Sequence, residues 1–144
     1  MKLEWVVLAE GMGGDASGAL TLIGVNRNVF VAQALPAVTK RAVLAHVSGD
    51  ASALEPGSQA QVSFSVVSPT GRVLLAQSSG IALAPPFWSD LPAGIDIPAE
   101  FGLNVTEYGD HVIKVEIDLG SQRLTGEVVL YVRTPPSGDP RAAS

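Results

Sequence analysis

The chain has 144 residues, a formal net charge of −5, 47% hydrophobic residues and no cysteine. This fits one globular domain and removes disulfides, thiolate nucleophiles and zinc or iron–sulfur ligation by cysteine in one step. Nine basic against fourteen acidic residues, with no basic cluster beyond Lys40-Arg41, is the wrong sign for tracking phosphates, and no window nears the ~18–20 apolar residues of a spanning helix, so neither nucleic acid nor membrane is an expected partner.

The first predicted strand covers residues 2–10. Glu4 and Glu10 bracket only five apolar residues there, too few for a secretory signal, which predicts a cytoplasmic protein. A loop over 11–18 (Gly11-Met12-Gly13-Gly14-Asp15-Ala16-Ser17-Gly18) leads to a second strand at 19–25. Both runs are apolar on alternate and partly consecutive positions, which predicts places central in a sheet, with Trp5 in the core. Residues 39–48 alternate more loosely, and apolar side chains on both sides predict a strand covered on both faces. Residues 59–68, burying Val62, Phe64 and Val66, and residues 72–79 form a hairpin about Pro69-Thr70-Gly71.

Between 84 and 107 the prolines come too densely for interior strands. A long connection between sheets is expected, with two short edge strands at 95–97 and 101–105. Residues 111–119 alternate cleanly, placing Ile113, Val115, Ile117 and Leu119 on one face and Lys114, Glu116 and Asp118 on the other. Gly120-Ser121 turns this strand into 123–133, where Val128, Leu130 and Val132 share a face. Residues 134–144 hold three prolines and no large apolar side chain, so a flexible tail is expected after a sandwich domain of residues 1–133.

Short Val/Leu/Ile/Thr-rich segments punctuated by Gly and Pro, without a helical repeat, predict an all-β protein: an immunoglobulin-like two-sheet β-sandwich of about seven to nine strands, with a small closed β-barrel as the other option. Two segments carry a resemblance. Residues 3–10, the Gly/Asp loop and Gly18-Ala19-Leu20-Thr21-Leu22-Ile23-Gly24-Val25 resemble a family of small bacterial proteins of unknown function. Gly109-Asp110-His111-Val112-Ile113-Lys114-Val115 is similar to the last hairpin of immunoglobulin-like domains, where Gly-x-Tyr commonly opens a strand and where this chain has His111. The resemblance covers residues 2–133 and implies a fold; no activity, ligand or catalytic residue comes with it.

Gly11-Met12-Gly13-Gly14-Asp15 lacks the spacing and the following helix of a phosphate-cradling loop and reads as a hairpin connection. His46 and His111, the only imidazoles, could be paired on paper with Asp50 and Asp110 for metal binding or hydrolysis. Both fall in phase with strand residues, and no nucleophile elbow accompanies the serines. Asn104-Val105-Thr106 matches a glycosylation acceptor and reads as a strand end. No catalytic, metal or cofactor-binding residue is therefore expected, and no cofactor.

The loop Pro85-Pro86-Phe87-Trp88-Ser89-Asp90-Leu91 stands out. Its aromatics either cap an open end of the sandwich, the commoner fate, or project as an anchor. Phe87, Trp88, Asp90 and Leu91 are the candidate contact residues. With apolar side chains on both faces of residues 5–9 and 41–47, they point to a non-enzymatic interaction or assembly module acting through a protein partner or self-association. The alternative is a carbohydrate or small-ligand binding domain using the same loop.

Overall fold

The computed structural model describes residues 1–54 and 57–137. Among them the chain is all-β, with no α-helix and ten strands: β1 (Lys2–Ala9), β2 (Gly11–Gly14), β3 (Leu20–Ile23), β4 (Val29–Val31), β5 (Ala37–Gly49), β6 (Gln59–Val67), β7 (Val73–Ala82), β8 (Ala93–Val105), β9 (Gly109–Asp118) and β10 (Arg123–Arg133). A three-stranded sheet, β1-β5-β8, packs on a curled five-stranded sheet, β4-β10-β9-β6-β7. These eight strands form the expected β-sandwich, and β2 and β3 add a separate two-stranded arm.

The core follows directly from period-two patterning. Ala60, Val62, Phe64 and Val66 of β6, Ile113, Val115 and Ile117 of β9, and Leu130 and Val132 of β10 are buried and meet Leu8, Val43, Ala45 and Val47 of the opposite sheet. The β9–β10 pair runs in continuous antiparallel register from Arg123 opposite Asp118 to Val132 opposite Gly109, as the alternation predicts. Its turn is set by Gly120 at φ +86°, whose N–H donates to the Asp118 carboxylate at 2.8 Å. In the β6–β7 hairpin, the Gly71 N–H donates to the Ser68 carbonyl at 2.9 Å and Gly71 takes φ +86°, so Pro69 and Gly71 do set the turn. β5 is covered on both faces, with every residue from Arg41 to Ala45 buried.

Four expectations are corrected. Residues 93–105 are one strand, β8, instead of two short pieces: its odd-numbered side chains, from Ala93 through Ile97 and Phe101 to Val105, face the core. β8 pairs only with β5, so Pro98 lies on an edge strand, where a missing N–H is tolerated. Residues 20–23 do not lie centrally in a sheet; they pair with Gly11–Gly14 in the arm, so part of the expected loop is itself a strand. β1 likewise ends the three-stranded sheet instead of lying within it.

The last correction concerns Trp5, which is 42% exposed instead of buried. The pairing of β1 with β5 slips between Leu3 and Trp5, a bulge at Glu4. Such an insertion flips the phase of the strand. Leu3, Val6 and Leu8 face the core while Trp5 and Val7 fall on the opposite face of the strand. Residues 134–137 carry no strand, and the remainder of the expected tail, 138–144, lies outside the described residues.

Candidate functional site

The connection from β7 to β8 is held at both ends. Leu83 is buried and donates its N–H to the Ser58 carbonyl at 2.9 Å, and Ala93 is buried where β8 begins. Between these anchors Pro85, Pro86 and Pro92 fix φ and remove three backbone donors, so the segment can neither extend β7 nor join β8 in a ladder. A turn closes it at the tip, with the Leu91 N–H donating to the Trp88 carbonyl at 3.2 Å.

The aromatics project. Phe87 is 91% exposed, Trp88 62% and Leu91 48%. Their rings meet each other edge to face, with centroids 5.2 Å apart and planes at 78°. Of the two fates open to them from the sequence, the rings project instead of capping the end of the sandwich. Beneath the tip, a shallow cleft of about 350 Å³ is bordered by Asp50, Ala51, Asp90 and Leu91. Asp50 caps the short 3-10 turn Ala51–Ala53 by accepting the Ser52 N–H at 2.9 Å, and that bond holds its carboxyl below the usual range. The site therefore offers two aromatic rings and an aliphatic side chain, flanked by Asp50 and Asp90.

The histidines do not join the carboxylates named for them in the sequence. Asp50 is occupied in its cap, and Asp110 accepts from Arg133 Nη2 at 2.6 Å. His111 is fully buried at the start of β9; the Gly109 carbonyl, 3.2 Å from Nδ1, can only accept, so Nδ1 carries the hydrogen and Nε2 is left without a partner. A tyrosine hydroxyl does reach back to backbone nearby, but from Tyr108, whose OH donates to the Ala32 carbonyl at 2.9 Å. His46 pairs instead with Asp96, at 2.7 Å from Nδ1, and stacks on Trp5 with centroids 5.2 Å apart and planes at 17°.

That Trp5, His46 and Asp96 row crosses three strands on the outer face of the smaller sheet. Period-two patterning could not bring it together, because the phase of Trp5 depends on the bulge and that of Asp96 on the continuity of β8 through Pro98. Among the described residues no further acid or base stands in hydrogen-bond contact with it. Among the described residues no group of three or more His, Asp and Glu stands together as a cation site. Among the same residues no helix is long and apolar enough to cross a membrane. No family model and no curated protein matches the chain.

Proposed function

We propose that this domain is a non-enzymatic protein-interaction module that engages its partner through Phe87, Trp88 and Leu91, with Asp50 and Asp90 at the rim. A single observation carries this: Phe87 at 91% exposure, on a loop braced by three prolines, buries almost nothing in its own chain. Rigid, projecting aromatics order few torsions on binding, so little entropy opposes insertion into a partner's pocket. The complementary surface is an apolar pocket with basic residues around its mouth, since the flanking groups here are carboxylates and the net charge is −5.

Carbohydrate binding through the same loop is supported less well. Sugar stacking favours a flat exposed ring face, whereas Phe87 and Trp88 meet at 78° and form no shared platform. The two readings separate in one set of measurements. Aromatic anchors of this kind contribute about 2 kcal/mol or more each, roughly thirtyfold in affinity.

The expected outcome is that a partner retained by the whole chain from an extract of the source cell, once purified, binds Phe87→Ala and Trp88→Ala at least about thirtyfold more weakly. Thermal stability should be unchanged, because neither side chain packs on the core. A double variant that retains its partners undiminished removes the loop from the interface. A saturable shift of Trp88 emission on titration with glycans, lost in Trp88→Ala, transfers the site to carbohydrate.

A further inference from the structure

We propose that the chain forms a two-fold symmetric dimer by antiparallel pairing of β7 with β7 of a second copy, centred on Ser78. Among the described residues β7 ends the five-stranded sheet and pairs only with β6, so one side of its ten-residue backbone has no hydrogen-bonded strand; β8 faces it across a cleft of about 420 Å³ bordered by Gln77, Ser78, Pro98 and Ala99. Its sequence, VLLAQSSGIA, contains no charge and no proline. Natural sheet edges are normally blunted by exactly those devices, by shortness or by cover.

The other edges of this molecule are defended. β8 carries Asp96, Pro98 and Glu100, β4 is three residues long, and β1 is crossed by β10 at Gly126, where an added Cβ would lie 2.6 Å from a Leu3 methyl. Among the described strands β7 alone is a long, neutral sheet edge, and charge tells which occupant suits it. Two copies of β8 laid together would bring carboxylates into proximity, whereas two copies of β7 bring none.

The sequence of β7 is also self-complementary. A two-fold axis perpendicular to the sheet keeps inner faces with inner and outer with outer, so each residue must meet one of the same parity. Centred on Ser78, the pairing sets Leu75 of one copy opposite Ile81 of the other, and Gln77 opposite Ser79, on the inner face. On the outer face it sets Ala76 opposite Gly80 and Ser78 opposite itself; Leu74, at the slip in the β6–β7 register and packed on the core, falls outside the regular pairing. The apolar pairs fall at the two ends, the hydrogen-bonding pairs at the centre, and the small Ala76, Ser78 and Gly80 keep bulk away from the axis. Residues 75–81, seven a side, supply about seven inter-chain backbone hydrogen bonds and join two five-stranded sheets into one of ten strands. The proposal stands on a different surface from the aromatic loop, and either can fail without the other.

The test uses the whole chain. Sedimentation equilibrium from about 1 to 50 μM should show a dimer, and Ser78→Lys, which sets two lysines opposite each other at the axis, should weaken it at least about tenfold while leaving the circular dichroism spectrum unchanged. The chain has no cysteine, so single thiols report register cleanly. Ser78→Cys places directly opposed Cα atoms about 4.5–5.5 Å apart, within disulfide reach, and should cross-link under mild oxidation. Ala76→Cys, offset from its copy by four residues or about 14 Å, should not. A monomer at 50 μM, a Ser78→Lys chain that stays dimeric, or cross-linking of Ala76→Cys as fast as Ser78→Cys overturns the proposal. Where Ser78→Lys fails to fold, the two cysteine variants decide it.

Discussion

Glu107 sits beside the Ser68–Arg72 turn and accepts the Thr70 hydroxyl at 2.9 Å. The Ser68 and Thr70 hydroxyls hold its carboxyl below the usual 4.5. A carboxylate whose folded pKa is depressed stabilises the fold above its unfolded value, and that stabilisation is lost as pH falls from about 4.5 through the lowered one. Glu107→Gln should therefore narrow the difference in melting temperature between pH 7 and pH 3, and an equally steep acid limb in the variant would assign that limb to other carboxylates. Arg41 shows the reverse cost: burial pushes its pKa down, opposed by nearby Glu10; its Nη1 donates to the Thr39 hydroxyl at 2.6 Å and the Lys40 carbonyl at 2.8 Å, Phe30 stacks on it at 5.7 Å, and its buried Nε has no partner among the described residues. The alternation of residues 39–48 already sets Arg41 on the side of Val43, Ala45 and Val47, in a strand expected to be covered on both faces. Whether such a residue points in or out is decided by the phase of its strand, and here it shares a face with Val43 and Val47.

Among the elements, β10 and β8 show where patterning succeeds and where a local rule overrules it. In β10 the inward positions Leu124, Val128, Leu130 and Val132 continue through Gly126, a gap that has a geometric cause. β1 crosses there so closely that a Cβ would lie 2.6 Å from Leu3 Cδ2 and 3.0 Å from Val6 Cγ2. Gly126→Val should cost about 1–3 kcal/mol in urea unfolding, because the added methyl groups must push the sheets apart; a variant within 0.5 kcal/mol of the parent, roughly the scatter of ordinary surface changes, would show that the corner can relax. β8 teaches the opposite lesson. Apolar residues occupy every odd position from Ala93 to Val105, and that signal was open to reading. The rule that proline excludes strands broke it at Pro98, although the rule applies to central strands and spares edges. The arm β2–β3 fails for another cause: three glycines in Gly11–Gly14 carry no side chains from which a period could be read.

At the scale of the molecule, both tryptophans are surface residues, Trp5 through a bulge and Trp88 through a proline-braced loop. Native emission should already lie near that of exposed indole, be quenched readily by acrylamide and shift little to the red on unfolding; a blue, quencher-resistant native spectrum would contradict these positions or show that a second chain covers them. Composition and alternation by themselves determined an all-β domain, its two principal hairpins, most of its core and the absence of thiol chemistry, because burial of alternate residues is a local property that each segment writes in its own order. They also singled out Phe87 and Trp88 as the residues whose fate matters. Only the tertiary structure decided that these rings project, that His46 meets Asp96 and Trp5 instead of Asp50, that β8 runs through its proline and that β7 is the last strand of its sheet. Each of these depends on which strand lies beside which and on a one-residue register, quantities that arise between segments distant in the chain and are written in none of them singly.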